Sequence, residues 1–509
     1  MTSHQNLRDT SIGNKAPFQG IAFNNSYARL PEQFHARVDP TPVAQPALIR
    51  LNHALARELK LNVDALNSTE GIEMLAGNRP AAGAEPIAMA YAGHQFANWV
   101  PQLGDGRALL LGEVIDRDGR RRDIQLKGSG PTPFSRGGDG RSSIGPVVRE
   151  YLASEAMAAL GIPATRALAA IATGEDVLRN NPEPGGILVR VADSHVRVGT
   201  FEYFARKGDP ASVRTLADYV ISRHYPELSD HDQCYLEFFG QVIERQAFLV
   251  SEWMRVGFIH GVMNTDNTSV VGETIDFGPF GYIDEFHPAT VYSSIDRRGR
   301  YAFNQQPGIA HWNLARLGEC LLPLLDDNAD AALEQANEAL KTFEGRFEKH
   351  FHTVLRAKLG LAETRGGDIE LAEDLLSLMT DQRADMTLTF RRLGEIDAES
   401  SAADGPVREL FDDPAGFDAW VARWRERLGA ETRCEAARRQ AMRKTNPAFV
   451  LRNHLAQQAV DAAIERLDFG PMHQLAKVLA RPYDDQPGNA DYAQPPRPEE
   501  RVTKTFCGT

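Results

Sequence analysis

The sequence predicts an α+β architecture of two lobes, β-rich first and helical second, with an extension at each end. Three observations support this. Between residues 86 and 190, short apolar runs and apolar–polar alternation are separated by glycine-rich turns, the pattern of half-buried strands. From about 191 onward, apolar residues recur every three or four positions, as on a helix face. Within that helical part lies His260–Phe280, HGVMNTDNTSVVGETIDFGPF, which carries an Asp-Asn pair (Asp266, Asn267) and then Asp276-Phe277-Gly278.

The elements follow in order. Residues 1–20 are polar and read as loose or draped over the surface. Ala47–Leu61 predicts an amphipathic helix, with Leu48, Leu51, Leu55 and Leu59 at helical spacing. Residues 77–86, rich in Gly, Pro and Ala, read as a connector. The turn Gly104-Asp105-Gly106-Arg107 opens a hairpin, with one strand from Arg107 to Ile115, turn chemistry at Asp116–Gly119, and an alternating strand Asp123–Lys127. A second glycine-rich loop, KGSGPTPFSRGGDGRSS, leads to a helix over Pro146–Leu160, where proline suits the first turn and Gly161 ends it. Strands are expected at 164–172 and 186–192, then helices at Leu216–His224, Gln233–Val256, Trp312–Leu325 and Ala331–Leu359. Further helices follow, among them Leu371–Met379 and Phe417–Leu428, and the Pro-, Asp- and Arg-rich tail from Pro482 reads as irregular. The order of glycine turn, hairpin, strand lysine, helix, strands and then helices with an Asn plus Asp-Phe-Gly loop matches a protein kinase-like two-lobed fold. It divides the chain into an N-terminal extension (1–85), a nucleotide-binding β-rich N-lobe (86–190), a helical C-lobe with the metal and catalytic loop (191–345), and a helical C-terminal extension with the tail (346–509).

Composition bounds the function. The chain has 509 residues, is 42% hydrophobic and 25% charged, and carries a net charge of −13. That balance is ordinary for a soluble globular protein and argues against a nucleic-acid partner, which selects for a basic face. No apolar run reaches the length of a membrane span, and the N-terminus shows no secretory h-region, so a cytoplasmic protein with no membrane partner is expected. Cys234, Cys320, Cys434 and Cys507 show no metal-ligand spacing; Cys234 and Cys320 read as core residues, and Cys507, third from the end in a polar tail, as an exposed and reactive one.

The chemistry concentrates in a few places. In kinase-like enzymes the catalytic loop reads His-x-Asp-x-x-x-x-Asn and is followed by Asp-Phe-Gly. Laid on this sequence, His260, Asn267 and Asp276 take the His, Asn and metal-Asp places, while Val262 falls on the catalytic Asp. Asp266 is the only carboxylate between Val262 and Asn267. Asn267 and Asp276 offer the hard oxygens that Mg²⁺ or Mn²⁺ takes beside phosphates. Gly104, Gly106 and Arg107 form a turn that could approach a phosphate, although an ordinary hairpin turn reads the same way. Lys127 stands where a strand lysine would pair a helix glutamate and nucleotide phosphates. Glu150 and Glu155 lie about 140° apart on the helix, so only one can face Lys127, and periodicity leaves the choice open. Asp139 and Gly140 sit in the second glycine-rich loop among Arg136, Arg141 and Arg149. Six arginines from Arg107 to Arg136 against four acids predict a local positive region attractive to a nucleotide. Arg190 and Arg197 could grip phosphates by forked hydrogen bonds, or form structural salt bridges.

The segments YAGHQFANWVPQLGDGRA, DIQLKGSGPTPFSRGGDGRSS, HGVMNTDN, DFGPFG and FNQQPGIAHWNLARL resemble the selenoprotein O (YdiU) family of protein nucleotidyltransferases, a pseudokinase-like branch of the kinase fold. The resemblance runs from about residue 15 to the C-terminus. It implies a protein adenylyltransferase that uses ATP, and in some settings UTP, to modify Ser, Thr or Tyr hydroxyls, with the nucleotide flipped so that its α-phosphate meets the acceptor. It implies nucleotide contacts at Gly104, Gly106, Arg107, Lys127, Asp139, Gly140, Arg190 and Arg197, a lysine partner at Glu150, a proton acceptor at Asp266, and metal ligands at Asn267 and Asp276. It also implies a redox role for Cys507, whose expected partner just after the Asp-Phe-Gly is missing, since Phe277–Phe303 contains no cysteine; Cys320 or an outside thiol remains. Two other readings stay open: an ordinary γ-phosphate kinase, against which Val262 argues, and a non-catalytic nucleotide-binding scaffold, against which the intact Lys127, Asn267 and Asp276 argue.

Overall fold

A computed structural model describes residues 15–506. In chain order its elements begin with strands β1 (His35–Arg37) and β2 (Ala47–Leu51) and helices α1 (His53–Glu58), α2 (Val63–Asn67) and α3 (Thr69–Leu75). Strands β3 (Ile87–Met89), β4 (Gly93–Gln95), β5 (Asn98–Val100), β6 (Ala108–Ile115), β7 (Arg121–Lys127) and β8 (Ser142–Ser143) precede helix α4 (Ile144–Ala159) and the long strands β9 (Arg166–Leu178) and β10 (Pro182–Ala192). Helices α5 (Val198–Ala205), α6 (Pro210–His224) and α7 (Cys234–Arg255), the short strands β11 (Phe258–Ile259) and β12 (Gly281–Tyr282), and helices α8 (Gln306–Leu325) and α9 (Ala329–Lys358) follow. Beyond these the chain is helical to Leu479. The fold is therefore α+β, and among the described residues no helix is long and apolar enough to cross a membrane.

The main sheet runs β1-β3-β6-β7-β10-β9-β2, antiparallel throughout, with β8 added on β10. Two of its strands come from before residue 86. Successive side chains alternate across a sheet, so Asp123, Gln125 and Lys127 of β7 share one face and Ile124 and Leu126 the other. The apolar face, with Val189 and Val191 of β10, packs on Leu55, Leu59, Leu66 and Leu75 of the first three helices and the residues joining them. Across the β7–β10 ladder Arg190 lies opposite Gln125, so the polar face brings Arg190 beside Lys127.

Ala47–Leu61 departs from the expected single helix. Its first five residues are an edge strand on β9, and α1 begins only after Asn52, whose side chain accepts from Leu55 N at 3.1 Å as an N-cap. The leucine spacing fits both descriptions, because Leu51, Leu55 and Leu59 are buried either way. The other elements keep their expected type with shifted ends.

The expected positive region also resolves differently. Arg120, Arg121 and Arg122, at the far end of the β6–β7 hairpin, pair with Asp118, Glu113, and Asp116 and Asp193. Charge counting along the sequence could not show that these arginines answer acids on their own hairpin and the adjoining strand rather than a ligand.

The helices after α9 brace α4 from behind. Asn453–Arg466 packs against it so closely that a Cβ on Gly145 would meet Ile464 Cδ1 at 3.0 Å. Asn453 also exchanges two hydrogen bonds with the backbone of Tyr282, at 3.0 and 2.7 Å.

Candidate active site

The β11–β12 ladder pairs Phe258 with Tyr282 and Ile259 with Gly281, pinning both ends of the loop that carries Asp266, Asn267 and Asp276. Inside the loop, buried His260 meets the backbone oxygen of Ile275 through Nε2 at 2.9 Å, tying the first half to the residue before Asp276. Asp276 has φ +59°, a left-handed conformation uncommon outside glycine and concentrated at functional sites.

This backbone aims Asp276 at the polar face of the sheet. Its Oδ1 accepts from Lys127 Nζ at 3.3 Å and Arg190 Nη2 at 2.6 Å, and its Oδ2 from Arg197 Nη1 at 2.9 Å. Glu150 on α4 accepts from Lys127 at 2.6 Å and from Arg190 at 2.6 and 3.1 Å. The choice that periodicity left open is thereby made. Glu155 faces elsewhere, accepting from Arg166 at 2.8 and 2.9 Å and from Asn52. Arg197 additionally stacks over Tyr91, 4.5 Å from the ring centroid.

Three cations thus converge on two carboxylates. Burial pushes the Asp276 carboxyl up, but Arg190, Arg197 and Lys127 outweigh it and hold the group well below the usual carboxylate range. Glu150 is likewise lowered against burial, by Arg190 and Lys127. Burial lowers Lys127, with Glu150 opposing. Asp276 keeps 22% of its side chain open to solvent, whereas Arg190 keeps 1%, so the cluster opens to the outside through Asp276.

Asp266 has a different environment. Its Oδ2 accepts from Gln95 Nε2 at 3.1 Å, and its Oδ1 is buried with no hydrogen-bond partner. Burial lifts its carboxyl to about 6, against the pull of Gln95 and Arg197. An unpartnered buried carboxylate oxygen with a pKa near neutrality suits a proton acceptor.

Asn267 donates its side-chain amide to Val262 O at 3.0 Å, which fixes the carboxamide and turns its oxygen away from that contact. Its oxygen and the ionised Asp276, both carried by the loop between β11 and β12, are hard donors of the kind Mg²⁺ or Mn²⁺ takes. Among the described residues no group of three or more His, Cys, Asp or Glu could hold a metal. A cation here would therefore complete its shell from phosphate oxygens and water.

The glycine-rich turns are positioned by packing. Gly104 has φ +65°, and a Cβ there would lie 2.3 Å from the ring of Phe134, so the turn is pressed onto the second glycine-rich loop. Gly140, at φ +64°, would clash with the Gly130 backbone at 2.1 Å. Gly106 backs onto Phe134 O, and Arg107 N-terminal to β6 neighbours the same loop through its carbonyl, which accepts from Gly128 N at 2.7 Å. Asp139 is bound by Arg179 at 2.8 Å, which together with Arg141 N lowers its carboxyl; it anchors the loop to the β9–β10 turn and shows no link to the Asp276 cluster.

Several residues of the site escaped sequence reasoning. Gln95 holds Asp266, and Gly93 lies so near that a Cβ would be 2.7 Å from Asp266 Oδ1. Glu202 of α5 joins His94 of β4 to Thr265, beside Asp266. Asp105, raised by burial against Arg197, lies 4.0 Å from Arg197. Their signal was the unbroken polar stretch Gly93-His94-Gln95 and the acid inside the first glycine turn. Cys320 is buried and Cys234 half-buried, while Cys507 lies outside the described residues.

Comparison with known proteins adds an independent line. The family model described as protein adenylyltransferase SelO matches residues 17–480. Protein nucleotidyltransferase YdiU of Alkalilimnicola ehrlichii is 65% identical over 96% of this chain and 98% of its own. The proteins of the same name from Bradyrhizobium sp. and Rhizobium etli are 60% identical over 96% of this chain and 99% of the relative, and 57% identical over 98% and 100%.

Proposed function

The chain belongs to the protein adenylyltransferase SelO family, and from that premise we propose how its site carries out nucleotide transfer to protein hydroxyls. It is a protein nucleotidyltransferase: a nucleotide, ATP, is the donor and a protein the acceptor. Our reading is that AMP passes to Ser, Thr or Tyr hydroxyls, with UTP as a second donor, on a kinase-like framework of two lobes. The sheet and α4 would form the first lobe and the helices from α5 the second.

The observation that carries this reading is the convergence of Lys127, Arg190 and Arg197 on Asp276, next to the unpartnered Oδ1 of Asp266. As arranged, the cations neutralise Asp276. With a triphosphate bound they would turn to its oxygens, and Asp276 with Asn267 would hold Mg²⁺ or Mn²⁺. The cation, when bound, would supply charge neutralisation across the phosphates. The two glycine turns, Gly104-Asp105-Gly106-Arg107 and Asp139-Gly140, would close over the nucleotide. The acceptor hydroxyl oxygen attacks the α-phosphorus as Asp266 Oδ1 takes its proton. The bond from the α-phosphorus to the bridging oxygen breaks, and pyrophosphate leaves with that electron pair, its charge offset by Lys127, Arg190 and Arg197.

Two parallel reactions test this, one with ATP labelled at the α-phosphate and the other at the γ-phosphate, each with Mg²⁺ or Mn²⁺. The reading expects protein-bound label from the α position only, lost in Asp276→Ala. Label from the γ position only would make the chain a kinase and refute the transfer chemistry.

A further inference from the structure

A groove of about 520 Å³ has a lining that includes Phe96, Ile295, Arg297, Arg298 and Arg300. It adjoins the loop that carries Asp266. Phe96 follows Gln95, the residue that holds Asp266, and donates its backbone N–H to Asn264 Oδ1 at 3.0 Å. Tyr301, next to Arg300, donates its hydroxyl to the same Asn264 oxygen at 2.6 Å and packs against Phe96 with ring centroids 4.9 Å apart. Asn264 lies two residues before Asp266, so one hydrogen-bonded unit joins the groove wall to the proton acceptor.

The groove is basic in a chain whose net charge is −13. Arg297 and Arg298 are exposed and form no ion pair among the described residues. The Arg300 guanidinium lies 5.0 Å from the Trp312 ring and 5.7 Å from the Tyr301 ring, and its Nε is buried without a hydrogen-bond partner. Asp296, the acid in the lining, accepts from the backbone N–H groups of Arg300 at 3.0 Å and Tyr301 at 2.8 Å, so its carboxylate holds the loop in shape. Beside the arginines Ile295 is 65% exposed, an unusual position for a large aliphatic side chain on a charged loop.

We propose that this groove docks the protein acceptor through a carboxylate-rich segment adjoining the reacting hydroxyl, with an apolar side chain of that segment resting on Ile295. The proposal rests on the transfer reading above. Charge complementarity selects the occupant: the chain as a whole repels an acidic peptide, so only a local cluster of arginines can hold one. Arg297 and Arg298 take the carboxylates, and the Phe96 wall directs the hydroxyl toward Asp266.

The test uses the full chain and three fluorescein-labelled peptides that share one tyrosine and one leucine and differ in a flanking run of glutamate, serine or lysine. Binding is read by anisotropy at low and high salt, and transfer by label from α-phosphate-labelled ATP. The glutamate peptide should bind roughly tenfold tighter than the serine peptide at low salt, the scale of two exposed charge pairs, and lose that margin at high salt. Arg297→Glu/Arg298→Glu should abolish the margin or transfer it to the lysine peptide. The neutral variant Arg297→Gln/Arg298→Gln should remove it without reversal, and Arg297→Lys/Arg298→Lys should keep it. ATP affinity should not change in any variant. Equal binding of the three peptides, a margin that survives the charge reversal, or a loss of ATP affinity with it would overturn the docking proposal. Salt-sensitive glutamate binding without α-label transfer would keep the groove and refute the transfer reading. Transfer at equal kcat/KM to the glutamate and serine peptides would do the opposite.

Discussion

Replacing Asp266 with asparagine should inactivate the enzyme and make it more stable. The side chain is 7% exposed, its Oδ1 has no partner, and burial lifts its carboxyl from the ordinary 3.8 to about 6. A rise of that size means the ionised form costs about 3 kcal/mol more in the folded chain than in the unfolded one. The sign follows from proton binding. Between about pH 4 and 6 the folded state holds a proton that the unfolded state has released, so stability falls as pH rises through this window. Above about 6 the cost is present in full. The replacing carboxamide is uncharged at every pH, so Asp266→Asn should raise stability at neutral pH by up to about 3 kcal/mol, less whatever its amide loses by burial without a partner. The advantage should shrink as pH drops below 6. Urea unfolding of both forms at several pH values measures this directly. In parallel, kcat/KM for label transfer should rise with pH through an apparent pKa near 6, because that parameter reports the free enzyme. Asp266→Asn should reduce it by about 10² to 10⁴, the usual contribution of a positioned base. An acid limb near 4, or an asparagine variant that is active and no more stable, would refute the argument that a desolvated Asp266 is the base.

Other outcomes follow from the same cluster. Asp276→Ala should depress transfer more than Asp266→Ala, because under the proposed mechanism it removes a metal ligand as well as the acceptor for Lys127, Arg190 and Arg197; it should also destabilise the nucleotide-free chain by about 3–5 kcal/mol, the cost of leaving buried charges unpaired. Glu150→Gln should lower nucleotide affinity and stability, whereas Glu155→Gln should leave ATP binding unchanged, since Glu155 serves Arg166 and Asn52; calorimetric titration separates the two. Gly140→Ala should cost about 1–3 kcal/mol from the left-handed backbone alone, with the clash on Gly130 added, and should raise the KM for ATP. Chelation of divalent cations should abolish label transfer and sharply reduce the stabilisation that ATP gives in a thermal melt.

The local chemistry of this chain was legible without a structure. Alternation in Asp123–Lys127 placed Lys127 on a strand, and Pro146 with Gly161 bounded a helix that carries both glutamates. The spacing from His260 to Asp276 singled out Asp266 and Asn267, because metal and proton chemistry restrict the residue types that can serve. What periodicity could not decide was partnership. Glu150 and Glu155 lie about 140° apart on the helical wheel, so only one can face Lys127, and only the packing of α4 against the sheet shows that it is Glu150 that meets Lys127 and Arg190. The six arginines from Arg107 to Arg136 looked like a ligand site, and only the fold shows that Arg120, Arg121 and Arg122 at the hairpin tip pair with neighbouring acids. Gln95, Glu202 and Asp105 act on the site from elements far apart in the chain; the polar stretch at Gly93–Gln95 and the acid in the first glycine turn could draw notice to two of them, but not show which groups they meet. The pKa of Asp266 belongs to the same class. Its residue type is local, but the burial that tunes it comes from β4, α5 and the Asp276 loop meeting in space. Sequence therefore determined which groups were available, while the tertiary fold decided which of them meet and how far water is kept away, since both depend on distances that the order of residues does not contain.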